Sequence, residues 1–342
     1  MRHLFWTATM FALIAVGSPE TSAQAQSAKD AEPSPGNSSP NSSTAETNPT
    51  GNPKLPWNAP PSDGKLRILC FGAHPDDAEY NAGGVAALWA AAGHHVKFVS
   101  TTNGDAGHWD LGGAVLARKR YEEVLRTASV LGVEESEVLD IHDGELLPTL
   151  ENRKTIIRLI CDWQADIVIA HRPYDYHPDH RYTGILIQDA SFNVTIPTYS
   201  PTTPQVKSNP VVLFYSDRFT RPIPFSPDII VSIDDVFDRK VEAVMNLESQ
   251  IFETVYNTPN EKSRLDFLSR IPRDPIGRRN FVRERFSKRD SKTADRFRDA
   301  LVKYYGEDLG KKVKYAEAFE ICEYGRQPTQ EQIKQLFPFF PQ

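Results

Sequence analysis

The chain predicts an α/β sandwich of three layers, a mostly parallel sheet with helices on both faces, followed by a C-terminal extension. Two observations lead there. Short apolar runs alternate with longer stretches of helical period, and two of those runs end in turns crowded with His, Pro and Asp. Leu66 to Phe71 reads as a strand, Gly83 to Ala92 as a small-residue helix and Val96 to Thr101 as a strand. Val115 to Leu131 is amphipathic and closes on Gly132, a residue suited to the left-handed position after a helix. Val138 to Ile141 reads as a strand, Asn152 to Trp163 as a helix, Ile167 to Ala170 as a strand and Tyr182 to Ala190 as a helix. Val211 to Tyr215 and Ile229 to Ile233 follow as strands, and Asp234 or Asp235 would cap a helix running to about Leu247. Residues 258–298 are charged and give no clear period, and no internal repeat is present.

The N-terminal residues stand apart from this fold. Arg2 and His3 precede the apolar segment Leu4 to Val16, and Ala23-Gln24-Ala25 supplies a small-x-small cleavage site. The expectation is a signal peptide over 1–25, whose apolar core is too short to span a bilayer; an uncleaved membrane anchor is the rival reading. Residues 26–64 are rich in Ser, Pro, Asn, Thr and Gly and lack the apolar surface needed to offset chain entropy, so a disordered linker is expected. The folded domain then covers 65–257, and 258–342 is an extension packed on it or continuing it. The chain is expected outside the cytoplasm, periplasmic or extracellular, with no stable transmembrane segment after processing.

A formal net charge of -6 gives no reason to invoke nucleic acid. Cys70, Cys161 and Cys322 are widely spaced, lack a Cys-x-x-Cys and read as buried thiols rather than a thiolate zinc site.

Chemistry concentrates in the two turns. Ala73-His74-Pro75-Asp76-Asp77 leaves the first strand, and His177-Pro178-Asp179-His180 follows the run Asp166 to Ala170. Open α/β sheets bind ligands beyond the carboxyl ends of their strands, so the two clusters are read as one site. The first turn lacks Gly-x-Gly-x-x-Gly, and its carboxylates would repel a pyrophosphate, which disfavours a nucleotide cofactor. A divalent metal fits better: His74 and Asp77, three apart on a tight turn, and His180 from the other strand end are the expected ligands. Three protein ligands with one position open is the pattern of a catalytic zinc, which acidifies its water. Asp76 is then placed as general base, His177 as donor to a developing oxyanion, and Asp179 as the carboxylate that orients one of the imidazoles.

His-Pro-Asp-Asp followed by His-Pro-Asp-His resembles the LmbE/PIG-L family of zinc-dependent N-acetylglucosamine-type deacetylases, over roughly Leu66 to Ile233. The resemblance implies a Rossmann-like fold, zinc on His74, Asp77 and His180, the base at Asp76 and a histidine assisting the tetrahedral intermediate at His177. It also implies, more weakly, substrate contacts from Asp105 in Thr102-Asn103-Gly104-Asp105-Ala106-Gly107, from Arg120 in Arg120-Tyr121-Glu122-Glu123 and from Asp143 in Asp143-Gly144. For Arg120 a helix-surface ion pair with Glu123 competes; for Asp105 and Asp143 ordinary turn chemistry does. His108, His142 and His171 read as structural or supporting side chains rather than ligands. The chain departs from the pattern at Ala78-Glu79, where many members place an acidic residue directly after the second Asp. Arg278, Arg279, Arg283, Arg285, Lys288 and Arg289 match no family motif, and a solvated basic face is preferred to a subsite for an anionic substrate.

The function expected is removal of an N-acetyl group from an amino-sugar-containing substrate or glycoconjugate, with Zn2+ or another divalent metal as cofactor. Another metal-dependent amidohydrolase, an iron oxygenase with two His and one carboxylate, and a non-catalytic glycan-binding module kept folded by its metal are the alternatives. Mature protein from its native host should begin at Gln26, as read by N-terminal sequencing; an N-terminus at Met1 would favour the membrane anchor.

Overall fold

The computed structural model describes residues 63–200, 202–253 and 260–341, so the signal peptide expected over 1–25 and the linker up to residue 62 lie outside the described residues. The sheet starts where the apolar run begins. β1 (Arg67–Gly72) leads into α1 (Asp77–Ala91), β2 (His95–Ser100) into α2 (Gly113–Leu131), and β3 (Glu135–Val138) into α3 (Leu150–Trp163). β4 (Ile167–Ala170) leads into α4 (Pro178–Asn193). β5 (Val211–Tyr215) and β6 (Ile229–Ser232) precede α5 (Phe237–Val244), α6 (Glu261–Ser269), α7 (Pro275–Arg296) and α8 (Arg298–Gly310). β7 (Ala316–Ile321) and α9 (Gln330–Leu336) close the chain. No helix among the described residues is long and apolar enough to cross a membrane.

The strands lie in the order β3-β2-β1-β4-β5-β7-β6. β1 to β5 are parallel, and β7 runs antiparallel between β5 and β6. This is the Rossmann-like arrangement, with the direction of winding reversed between β1 and β4. β1 displays the three layers residue by residue. Ile68 and Cys70 pack with Trp89, Val124 and Phe237, whereas Leu69 and Phe71 pack with Ile157, Ile160 and Leu186. Both faces are covered, so the strand needs an unbroken apolar run rather than alternation. The three cysteines are buried and free, and Gly132 ends α2 with φ 79°.

Several boundaries differ from the sequence expectation. α1 begins at Asp77 and α4 at Pro178, so both chemical turns run straight into helix N-termini. β3 lies at Glu135–Val138, three residues earlier than expected, where polar residues on a strand next to only β2 hide the period. Asp234 caps no helix; its carboxylate accepts from the backbone N–H groups of Lys314 and Tyr315 and ties down the approach to β7. Residues 258–298, unreadable by period, hold α6 and α7.

A buried ionic cluster joins the extension to the first helix. Lys240 of α5, fully buried, places Nζ 2.8 Å from Asp290 Oδ2 of α7 and 2.8 Å from Glu317 Oε1 of β7. The Glu317 carboxylate also accepts from Gly84 N at 2.9 Å and Val85 N at 2.8 Å, inside α1. Removing the cation leaves two carboxylates facing each other away from water. Lys240→Met should therefore destabilise the protein by about 3–5 kcal/mol in denaturant titration; an unchanged midpoint would mean that the carboxylates are neutralised by other groups.

Candidate active site

Strand pairing brings the two motifs together. β1 and β4 are neighbours in register, Ile68 against Ile167, Leu69 against Val168 and Cys70 against Ile169, so their carboxyl ends deliver His74 and His180 to one crevice. Each exit is shaped by a glycine. A Cβ on Gly72 would sit 2.8 Å from Asp77 Cβ, and one on Gly184 would sit 2.5 Å from the His171 carbonyl oxygen. The first lets the turn fold back; the second lets α4 press its first turns against the end of β4. Asp77 fixes its own turn, because Oδ2 accepts from Ala73 N at 3.0 Å and His74 N at 2.8 Å.

Three donor atoms converge there. His74 Nδ1 lies 3.4 Å from Asp77 Oδ2 and 3.2 Å from His180 Nε2, and His180 Nε2 lies 3.5 Å from Asp77 Oδ2. A tetrahedral ion with bonds of 2.0–2.2 Å separates its ligands by about 3.3–3.6 Å, so these residues fit a divalent metal. Each imidazole is backed by carboxylates. His74 Nε2 is 3.1 Å from Asp143 Oδ1 and 3.4 Å from Asp179 Oδ2, and His180 Nδ1 is 3.2 Å from Asp175 Oδ1, ion-pair contacts rather than aligned hydrogen bonds. Burial alone would depress the pKa of both rings, yet these carboxylates and Asp77 hold them above the usual imidazole range. Burial would raise Asp77, but His180 and His171 hold it well below the usual carboxylate range.

Asp76 and Asp77 are neighbours with opposite surroundings. The Asp76 carboxylate makes no hydrogen bond among the described residues, and burial, then the Asp77 charge, push its pKa up to about 7. His177 is the N-cap of α4, and its Nδ1 accepts from Asp179 N at 3.2 Å. That bond places the ring proton on Nε2. Burial, then His74 and His180, lower its pKa, so the ring is neutral at physiological pH with Nε2–H as a donor. Asp179 is fully buried and also accepts from Gly144 N and Leu146 N, which fixes the loop carrying Asp143. Glu79, below the motif, is buried with its carboxyl pushed up to about 8 by burial.

The residues expected to contact substrate are distributed unevenly. Arg120 is buried and turns inward: Nη1 donates to Gly104 O at 2.6 Å and lies 3.6 Å from Asp143 Oδ2, while Nε and Nη2 have no partner among the described residues. The competing surface pair with Glu123 does not form, because Glu123 is itself buried and accepts from Ser249 N and Oγ. Asp105 pairs with His142 at 2.7 Å and accepts from Asp143 N, so it props the neighbouring loop. Asp143 faces His74. His108 accepts from Asp110 N and Leu111 N within its own turn.

Asp175 and Tyr176 escaped the sequence reading, and His171, read as structural or supporting, lies against the cluster. His171 stacks on His180 at 4.0 Å with its Nε2 3.2 Å from Asp77 Oδ2, so Asp77, His171 and His180 also bring ligand-capable atoms within 4.8 Å of one another. Asp175 lies behind His180. Tyr176, 70% exposed, stands edge-on to His177 and 6.2 Å from Phe219. The signal for all three was adjacency: Ala170-His171 and Asp175-Tyr176 flank the same strand end as the second motif.

Asp77 and His180 line a cavity of about 900 Å³, whereas His74, Asp76 and His177 lie outside its lining. One part of its lining is Asp77, His171, Asp175, Tyr176 and His180; another is α7, through Arg285, Lys288, Arg289 and Lys292. The basic segment therefore divides. Arg278, Arg279 and Arg283 hold α7 in place through Phe252, Glu242 and Asp238, whereas Arg285, Lys288 and Arg289 face the cavity rather than open solvent alone.

Residues 69–191 match the family PIG-L: GlcNAc-PI de-N-acetylase. A diacetylchitobiose deacetylase from Thermococcus kodakarensis is 33% identical over 209 residues, covering 58% of this chain and 75% of that protein. A 4-oxalmesaconate hydratase from Pseudomonas putida is 29% identical over 195 residues, covering 53% of this chain and 73% of the relative. Among solved structures, the N,N'-diacetylchitobiose deacetylase from Pyrococcus horikoshii superposes with a TM-score of 0.56 at 26% identity, over 75% of this chain and 84% of that one. With both motifs meeting at the β1–β4 crevice and a relative of this identity spanned over three quarters of its length, the chain belongs to the PIG-L family.

Proposed function

We propose that the protein is an exported, metal-dependent hydrolase that removes an N-acetyl group from an amino-sugar-containing substrate. The observation that carries the reading is the meeting of His74, Asp77 and His180 at ligand spacing, with an unpaired carboxylate at Asp76 beside them. The deacetylase relatives supply the acyl group and the sugar class. Export rests on the expected leader alone.

His74, Asp77 and His180 would hold the cation, with zinc the ion suited to two imidazoles and one carboxylate. When bound, it supplies Lewis acidity to the acyl carbonyl and lowers the pKa of water. Asp76 accepts the proton of the attacking water, a task helped by a carboxyl whose affinity for protons is raised, and returns it to the departing amine. His177 donates through Nε2–H to the oxygen on which charge develops, and being neutral it needs no proton from solvent to do so. Asp179 keeps His74 oriented, as Asp175 does His180. Exposed Tyr176 offers an aromatic face at the mouth, suited to the apolar face of a sugar ring, whereas buried Arg120 holds the Gly104 loop in place.

The hydratase relative marks a second reading, addition of water to a carbon–carbon double bond by the same donors. Acetate release from a panel of N-acetylated glycans decides between the two; hydration of an unsaturated dicarboxylate with no acetate from any glycan would move the assignment.

His180→Ala should lose the equivalent of one divalent ion per chain by elemental analysis, and full retention would displace His180 from the ligand set. Asp76→Asn should keep its metal while turnover falls at least about 10²-fold. The same variant should melt higher than wild type at pH 8 when both are metal-free. The sign follows from linkage: a carboxyl raised from 3.8 to about 7 binds its proton more tightly when folded, so stability falls as pH rises through that window. Undiminished turnover in Asp76→Asn would remove the proposed base.

A further inference from the structure

α7 presents a second set of cavity residues that the hydrolytic cluster does not use. Arg285, Lys288, Arg289, Lys292 and Arg296 recur at intervals of three and four residues, which puts them along one side of the helix, and all five line the cavity. The adjoining stripe of Val282, Phe286, Asp290 and Ala294 is buried and fixes the helix in rotation. Three of the five cations are engaged within the protein. Lys288 pairs with Glu284 at 2.6 Å, Arg289 donates to Tyr80 O and to Asn81 Oδ1, and Arg296 donates to Asp217 O at 2.9 Å.

The side chains of Arg285 and Lys292, both exposed, have no ion pair or hydrogen bond among the described residues, and neither has that of exposed Arg218, which lines the cavity after β5. The acidic groups of the same lining are already committed. Asp290 and Glu317 share Lys240, Asp217 lies 3.3 Å from Arg172, Asp175 faces His180, and Asp77 lies among His74, His171 and His180. In a chain of net charge -6, uncompensated cations thus gather in the cavity that Asp77 and His180 line. Its volume of about 900 Å³ exceeds what one sugar ring fills.

Resting on the deacetylase reading, we propose that Arg285, Lys292 and Arg218 form a subsite for an anionic substituent, a carboxylate or a phosphate, carried by the substrate beyond the sugar that is deacetylated. Guanidinium groups receive such oxyanions in bidentate fashion, and the ammonium of Lys292 adds a point charge. The subsite selects the substrate rather than the reaction, since none of the three residues belongs to the cluster at the β1–β4 crevice.

Paired substrates test it. Zinc-loaded full-length protein is assayed for acetate release from a hyaluronan tetrasaccharide against chitotetraose, and from N-acetylglucosamine 1-phosphate against N-acetylglucosamine. In about 20 mM salt at least one anionic member should exceed its neutral partner in kcat/KM by about fivefold or more, and the advantage should shrink by at least about half near 300 mM as screening grows. The pair with the larger ratio identifies carboxylate or phosphate. Arg285→Gln combined with Lys292→Gln should lower that ratio about fivefold or more. Equal kcat/KM within both pairs, or a ratio that the double variant leaves unchanged, overturns the subsite. Calorimetric titration of Asp76→Asn protein with the hyaluronan tetrasaccharide and with N-acetylglucosamine 1-phosphate separates the two readings. Binding weakened by the double substitution, without acetate release from any substrate by wild type, supports the subsite and removes the deacetylase assignment.

Discussion

The parallel pairing of β1 with β4 is the constraint on which the site depends. About a hundred residues separate His74 from His180, and nothing local to either turn could hold their nitrogens 3.2 Å apart. The register of three residue pairs does so, because it sets the two strand ends level and sends their helices to opposite faces of the sheet. The winding reverses at that boundary, so no crossover covers it and the crevice stays open. Gly72 and Gly184 act on the same constraint at closer range, by removing the side chains that would push α1 and α4 away.

The pairing also explains how adjacent carboxylates acquire different characters. Asp77 points back into its own turn, where backbone N–H groups and imidazoles stabilise its negative charge. The Asp76 carboxylate, one residue earlier, receives no such hydrogen bond, and burial with its neighbour's charge outweighs the pull of His74, Arg120 and His180. Two positions in one turn therefore separate the proposed ligand from the proposed base by environment alone. The protein tolerates several unsatisfied groups around this point, among them Arg120 Nε and Nη2 and Glu79 Oε2. Such groups cost stability when buried, and their concentration beside one cluster marks where the fold gives up stability for chemistry.

The central sheet and the core of the site were legible in the sequence for a specific reason. β1, β4 and β5 are covered on both faces and read as unbroken apolar runs, and the turns beyond β1 and β4 hold their side chains by short-range geometry. What could not be read depends on contacts distant in sequence. β7 alternates Ala, Glu and Phe, and its Glu317 is inside only because Lys240 and two backbone N–H groups meet it there. α7 carries so many charges that no period shows, although every fourth residue from Val282 is buried. Arg120 read equally as a surface helix residue, and only the approach of the Gly104 loop turns it inward. Asp175 was hidden by lying outside the four-residue motifs while sharing their strand end.

The antiparallel insertion of β7 carries a consequence for the order of folding. β3, β2, β1, β4 and β5 can pair as soon as residue 215 has been made, and they already contain the hydrolytic cluster. β6 cannot join them. Its strand partner is β7, which ends about ninety residues later, so β6 and the helices between wait until that final strand enters the sheet. A chain that paired its strands in order of synthesis would assemble the candidate site first, open and without the wall that α7 supplies. The cavity would then take its final form only when one long-range strand pairing and one buried lysine lock the C-terminal half against the first helix.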